Sequence, residues 1–377
     1  MTSNRLPEGV VDLLPARARA LAQAQGHLAR AFERAGFARV YTPLFDLQEV
    51  LEAGLGAEER RALFRLVDPA GGEVAVLRPD FTAQVARIAS TKLAGLPRPL
   101  RLCYEGRIAR AVDPHGRGLR RRDVFQSGVE LIGVHGVAAE LEVLLAGARA
   151  VAGLGLELTL DLGHAALLPA LLPRTAPAAQ AELQAALARK DHAALTRLAP
   201  EVAPLARLYG PRAVLEEARQ ALAGAPAPVH AALEHLAAVA GRLAAELPQV
   251  NVVVDLGAPR QHGYYTGLFF AGYVPHAADA VLSGGRYDGL LGRFGADEPA
   301  VGLGVDLLRL VEAQPAAAEP WGVVLATATP DAPGLQAALE ALRDRHGRAV
   351  AAAPEAAEAY RAAHGYAAVV AEGAEVF

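Results

Sequence analysis

Apolar residues after Pro15 recur at Leu21, Ala24, Leu28, Ala31, Phe32 and Ala35, three or four positions apart, and Gly36 stands where a helix carrying that stripe would stop. The spacing predicts one long amphipathic helix. Downstream the period shortens. FARVYTPLF, VAVLRPDF and RLCYEG are short runs rich in strand formers, broken by turn residues such as Pro43, and FQSGVELIGV is the clearest strand of this half. A helical stretch from about Ala138 to Val151 and a short strand at LELTLDL complete it.

From about His164 to Pro248 the pattern changes to leucine- and alanine-rich helices punctuated by Pro173, Pro200, Gly210 and Gly224, which predicts a helical insertion. Strand-like segments return at VNVVVDL and YYTGLFFAGYV. SGGRYDGLLGRFG then leads into a strand and helix at AVGLGVDLLRLVEA, so the sheet resumes after the insertion. Beyond Pro315 the order is strand (WGVVLAT), helix with Leu335, Leu339 and Leu342 on one face, strand (RAVAAA), helix over Glu355 to Ala363, strand (YAAVVAE). That alternation predicts a small parallel α/β unit with crossover helices. The expected organisation is a core over 1–163 and 249–315, an insertion over 164–248 and a C-terminal unit over 316–377.

Composition narrows the class. A chain of 377 residues with 53% hydrophobic and 21% charged positions can bury a large core and a second, smaller unit. It has no apolar run of about eighteen residues and no signal-type start, so a cytoplasmic protein without a membrane span is expected. Cys103 is the only cysteine, which excludes an internal disulfide and any cysteine-rich metal site. A net charge of −4 advertises no nucleic-acid partner. The basic residues are arginine apart from Lys92 and Lys190, a bias that lowers the weight of any arginine run. Phosphate-loop, zinc-protease and nucleophile-elbow motifs are absent, and His230 and His235, five apart, fall on different helix faces and read as surface residues. No metal and no cofactor are expected.

The remaining chemistry is polar side chains at strand spacing in apolar segments. Gln126 and Glu130 share one strand face, with a gap between them at Gly128 where a ligand could lie; equally, Glu130 could pair with an arginine of the next strand. In GYYTG, read as a strand, Tyr264 and Tyr265 face opposite ways, one towards a pocket if the sheet has one, or both packing in the core. SGGRYDG adds Tyr287 beside glycines suited to a tight turn or a close backbone approach.

These segments, in this order, resemble histidyl-tRNA synthetase across roughly residues 5 to 315. GFARVYTPLF is similar to its first class II motif, LRPDFTA to LRPEGTA, YEGRIAR with FQSGVE to the second motif, and RQHGYYTG to RGLDYYTG. GGRYDGL matches unchanged, and AVGLGVDLLRL resembles the third motif. The resemblance implies an α+β fold: a class II synthetase-like antiparallel sheet flanked by helices. It also implies an L-histidine pocket in which Asp80 and Thr82 hold the ammonium, Arg260 the carboxylate, and Glu130, Tyr265 and Tyr287 the imidazole, with Arg110, Gln126 and Tyr264 beside them. A carboxylate and a phenol suit a neutral imidazole, which offers one donor and one acceptor.

The departures cluster on the nucleotide side. Arg110 and Arg309 keep the two arginines that hold triphosphate, but Val112 replaces the glutamate that meets adenine, and a valine accepts no hydrogen bond. Asp306 stands where the family has glycine, either an added anion beside the phosphates or an N-cap of the next helix. Gly263 and Ala271 replace acidic residues, and the second-motif loop carries Arg120, Arg121 and Arg122 together. The C-terminal unit is short for an anticodon-binding domain. A kept amino-acid pocket beside an eroded nucleotide pocket resembles the regulatory subunits of ATP phosphoribosyltransferase, synthetase paralogues serving the first step of histidine biosynthesis. That resemblance implies a non-catalytic chain, a class II homodimer near Pro43, a hetero-octamer of four and four with a short-form catalytic subunit, and no tRNA partner. A minimal active histidyl-tRNA ligase and a free-standing histidine sensor are the alternatives.

Overall fold

A computed structural model describes residues 5–111, 121–172, 177–258, 263–314, 320–329 and 331–371. The chain divides into two compact units, Met1–Asp12 with Leu21–Gln314, and Leu13–Ala20 with Pro315–Phe377. In chain order the strands of the first unit are β1 (Ala38–Arg39), β2 (Phe45–Leu47), β3 (Arg65–Val67), β4 (Val74–Leu77), β5 (Leu100–Ala109), β6 (Asp123–Ile132), β7 (Thr159–His164), β8 (Tyr209–Pro211), β9 (Asn251–Asp255), β10 (Leu268–Tyr273), β11 (Leu282–Arg286) and β12 (Ala300–Asp306). Among the described residues the main sheet runs β1-β5-β6-β12-β11-β10-β7-β9-β8, with β2-β4-β3 as a small separate sheet. Pairing is antiparallel from β5 across to β7 and parallel where β1 meets β5 and β7 meets β9. This is the class II synthetase-like α+β sheet that the motifs imply.

The longest pairing, β5 with β6, runs in register from Leu100 opposite Ile132 to Ala109 opposite Asp123. Register decides which side chains share a face, because paired residues project to the same side. On one side lie Tyr104 (β5), Gln126, Gly128 and Glu130 (β6), Gly302, Gly304 and Asp306 (β12), and Ser283 and Gly285 (β11). The other side carries Val129, Leu131, Val301, Leu303 and Val305, all buried. There the helix Val137–Ala152 approaches closely: a Cβ on its Gly147 would stand 2.5 Å from Leu303. AVGLGVD thus alternates aliphatic side chains towards the core with glycines that leave a trough on the opposite face.

The helix expected after Pro15 is Pro15–Arg34, with Leu21, Ala24, Leu28 and Phe32 buried, and it is followed by Gly36 at φ +90°. FARVYTPLF forms less strand than its composition predicts, only β1 and β2, because Pro43 lies between them. Residues 164–248 include helices Leu167–Leu171, Pro177–Ala188, His192–Leu198, Val214–Ala221 and Ala227–Glu246. They also contribute β8, a short strand that extends the sheet beyond β9. In the second unit β13 (Val323–Ala326), β14 (Ala349–Ala352) and β15 (Ala368–Ala371) are parallel in the order β14-β13-β15, connected by helices Leu335–His346 and Pro354–His364. Leu339 and Leu342 pack on Val323, Leu325 and Ala349, while Ala357 and Tyr366 cover Val324 on the other side.

Candidate functional site

The glycine trough forms the floor of a pocket. One wall is the turn LRPD, held by Arg78, whose Nε donates to the Arg107 carbonyl at 2.8 Å and whose Nη1 donates to the Thr42 carbonyl at 2.9 Å. The guanidinium also lies 3.9 Å over the Phe81 ring, and its burial pushes its pKa down to about 10. With the turn pinned, Asp80 and Thr82 project into the pocket from the start of the helix Thr82–Ser90. Phe81 stacks on Tyr104 at 4.4 Å, nearly parallel. Tyr104 then occupies the space left by Gly128: a Cβ there would stand 2.5 Å from the phenol oxygen. The gap between Gln126 and Glu130 is therefore filled by a side chain of the next strand.

Glu130 sits at the bottom, 1% exposed, and its carboxylate is surrounded by hydroxyls. Thr82 Oγ1 donates to it at 2.9 Å, the Tyr104 phenol at 3.3 Å, and the Tyr287 phenol more closely still. No arginine partner is among these contacts. Burial pushes the Glu130 pKa up to about 8, the hydroxyl donors pull it down, and the nearby Asp80 raises it further. Gly302 makes this geometry possible, since a Cβ there would lie 1.6 Å from a Glu130 oxygen.

Three tyrosines close the opposite side. Tyr264 meets Tyr265 edge-on at 5.1 Å and Tyr287 at 5.7 Å, and all three line the pocket. The alternation expected for Tyr264 and Tyr265 does not apply, because both precede β10 in a turn where the two-residue period of a strand is not in force. Burial raises the phenol pKa values, helped by the Glu130 carboxylate at all three and by Asp80 at Tyr264 and Tyr265, so all three stay protonated. Gln126 and Arg110 complete the lining, Arg110 fixed by a 3.0 Å bond from Nε to the Pro79 carbonyl. Gln126 Oε1 is buried with no hydrogen-bond partner among the described residues, an acceptor left for a ligand. Arg260, expected on a ligand carboxylate, lies outside the described residues, as do Val112 and Arg120.

The pocket also uses residues that the motif reading passed over. Tyr104 lies in the strand run RLCYEG and Ser283 in SGGRYDG, and no motif singles out either. The usable signal was the small residues two apart, Ser283 and Gly285 in SGG and Gly302 and Gly304 in GLG, which only register converts into a groove.

The comparisons with known proteins find a histidyl-tRNA-synthetase-like chain whose curated relatives are regulatory subunits. The histidyl-tRNA synthetase family model matches residues 9–310. The ATP phosphoribosyltransferase regulatory subunit of Syntrophotalea carbinolica is 37% identical over 90% of this chain and 83% of its own length. That of Anaeromyxobacter dehalogenans is 40% identical over 80% of this chain and 89% of its own length. A crystal structure described as an ATP phosphoribosyltransferase regulatory subunit/histidyl-tRNA synthetase from Bacillus halodurans superposes with a TM-score of 0.82, covering 98% of both chains at 26% identity. The chain belongs to the ATP phosphoribosyltransferase regulatory subunit family.

In this regulatory subunit family member the nucleotide-side departures have a structural form. A second hollow adjoins the first, sharing Arg110, Gln126, Ser283 and Gly304, and is bounded by Asp306 and Arg309. Asp306 caps the helix Leu307–Ala313, accepting from the Leu308 and Arg309 amides at 3.1 Å each. Its other oxygen lies 3.1 Å from Arg309 Nε, and Arg309 Nη1 donates to the Ala280 carbonyl at 2.8 Å and lies 3.4 Å from Asp279. The arginine is thus paired with acids of its own chain. Of the second-motif arginines, Arg121 pairs with Glu312 and Arg122 lies 4.6 Å over Phe64. His235, expected on the surface, instead points inward to Glu140 and His164.

Proposed function

We propose that the chain acts in histidine biosynthesis as the non-catalytic regulatory partner of an ATP phosphoribosyltransferase catalytic subunit, and that its pocket binds L-histidine as the feedback signal. The observation that carries the ligand assignment is the hydrogen-bond polarity of the floor. Burial holds the Glu130 pKa at about 8, and a cationic ligand draws it into the ionised form; Thr82, Tyr104 and Tyr287 then donate their single protons to it and turn lone pairs to the pocket. A floor of acceptors beside Asp80 matches a ligand rich in N–H donors, as an α-ammonium with an imidazole is. Arg110 supplies a positive end for the carboxylate, the role that the resemblance gives to Arg260. Feedback then requires histidine to bind one state of the complex better than the other, since equal affinity shifts no equilibrium.

The proposed assembly is a homodimer through the class II core, joined to the catalytic subunit four and four, in the cytoplasm and without tRNA. The dimer is supported by large apolar side chains exposed on or beside the small β2-β4-β3 sheet, next to Pro43: Tyr41 is 78% exposed, Phe45 51% and Val67 66%. Among the described residues no helix is long and apolar enough to cross a membrane.

Mixing the purified chain with a short-form catalytic subunit, ATP and phosphoribosyl pyrophosphate is the test. A rise in product formation that added L-histidine suppresses is expected. No rate gain and no co-elution would overturn the assignment, and histidine-dependent exchange of pyrophosphate into ATP by the chain alone would favour the ligase instead.

A further inference from the structure

Beside the pocket, four side chains form a series of contacts leading from the helix Ala227–Glu246 to the segment that carries Tyr287. Arg286, the last residue of β11 and nearly fully buried, donates from Nε to Glu140 Oε1 at 2.5 Å. Its other nitrogens reach the Gly136 carbonyl at 3.1 Å, Asp288 at 3.1 Å and the Val134 carbonyl at 3.3 Å. Glu140, wholly buried, has its second oxygen 2.6 Å from His235 Nε2, an ion-pair contact rather than an aligned hydrogen bond, and His235 Nδ1 lies 3.2 Å from His164 Nε2 at the end of β7. His164 Nδ1 accepts from the Ala166 amide at 3.3 Å.

That last bond fixes the protons along the whole chain. If His164 Nδ1 accepts, its hydrogen sits on Nε2 and goes to His235 Nδ1; the His235 hydrogen is then on Nε2, facing Glu140. Each ring nitrogen is used once, with the His164 ring neutral. Burial and the neighbouring His235 lower the His164 pKa to about 4, in keeping with this arrangement.

At its other end Arg286 anchors the backbone of the pocket tyrosines. Its carbonyl accepts from the Thr266 amide at 2.8 Å, and Thr266 directly follows Tyr264 and Tyr265. Thr266 Oγ1 accepts from the Asp288 amide at 3.1 Å, and Asp288, paired with Arg286, accepts from the Ala300 amide at 3.2 Å. Tyr287 lies between Arg286 and Asp288. All three tyrosines therefore sit within one or two residues of a group that Arg286 holds.

We propose that His164, His235, Glu140 and Arg286 form a positioning relay through which the helix Ala227–Glu246 sets the placement of Tyr264, Tyr265 and Tyr287, so that the state of that helix and the affinity of the pocket are coupled. The relay deepens the reading of the pocket as a histidine site and rests on it for its regulatory meaning. The coupling is reciprocal: a ligand that fixes the tyrosines steadies the helix, and a partner that moves the helix weakens the ligand.

Amide hydrogen exchange by mass spectrometry and calorimetric titration with L-histidine, on the full chain, test it together. His235→Leu is expected to speed exchange in the segments around residues 264–268 and 284–290 and to weaken L-histidine roughly tenfold. His235→Gln, which keeps a donor facing Glu140, should restore most of both, and His230→Leu on the same helix should change neither. His164→Leu breaks only the outer link and provides the same readout if His235→Leu does not fold. Unchanged exchange in both tyrosine segments, or an equal rise over the whole sheet, would overturn the relay. A wild-type chain that binds no L-histidine would overturn the pocket reading, while the exchange measurements still decide the relay.

Discussion

Under the proposed histidine reading, Glu130 defines the ligand without being available to it as a free charge. Its hydroxyl donors decide which way the pocket's hydrogen bonds point, so a change at Glu130 acts on recognition through Thr82, Tyr104 and Tyr287. Glu130→Gln turns one side of the floor into a donor and is expected to weaken L-histidine by about 1–3 kcal/mol, as is Tyr287→Phe, both read by calorimetry. Gly302→Ala probes the same place by volume. Its Cβ would fall 1.6 Å from the Glu130 carboxylate, so a loss of about 1–3 kcal/mol in urea unfolding is expected, together with loss of histidine binding. The residue types were legible in the sequence because Asp80, Thr82, Gln126, Glu130 and Tyr287 stand in recognisable motifs. That Glu130 contacts three hydroxyls was not, because Thr82, Tyr104 and Tyr287 come from segments far apart in the chain.

At the level of elements, periodicity was a sound guide wherever a strand or helix was real and misled where it was not. It placed the helix Pro15–Arg34 and strands β5, β6 and β12, whose alternation follows from one buried face. It failed for Tyr264 and Tyr265, which lie in a turn, and for His235, whose spacing from His230 says nothing about the strand end it packs against. The contact of His235 with His164 and Glu140 gives the helix Ala227–Glu246 a pH dependence with a definite sign. His164 has a folded pKa of about 4 against an ordinary 6.5, so between these values the unfolded chain binds a proton that the folded chain refuses. Stability should rise with pH across that window, by on the order of 3 kcal/mol for this one group. Urea unfolding at a series of pH values, compared with His164→Leu, measures it; equal slopes for the two proteins would contradict the buried neutral ring.

For the whole molecule, Glu130 contributes the opposite slope. Its folded pKa of about 8 lies above the ordinary 4.5, so the folded chain keeps a proton that the unfolded chain loses, and stability should fall as pH rises through that interval. L-Histidine, bringing a cation to the pocket, should offset that fall, and Glu130→Gln should abolish it; melting curves at pH 5 to 8, with and without the amino acid, decide the matter. The family was legible from ordered motifs, and the comparisons place the chain among regulatory subunits of ATP phosphoribosyltransferase. By itself the sequence determined most of the elements and the residue types of the pocket, because those depend on local pattern, and it set the expectation that Val112 stands where the family has a glutamate. Only the tertiary structure decided that Asp306 is a helix cap paired with Arg309, that Tyr104 fills the space over Gly128, and that an imidazole pair stands behind the tyrosines. Each of these depends on strand register and on contacts between residues distant in sequence, which no local pattern specifies.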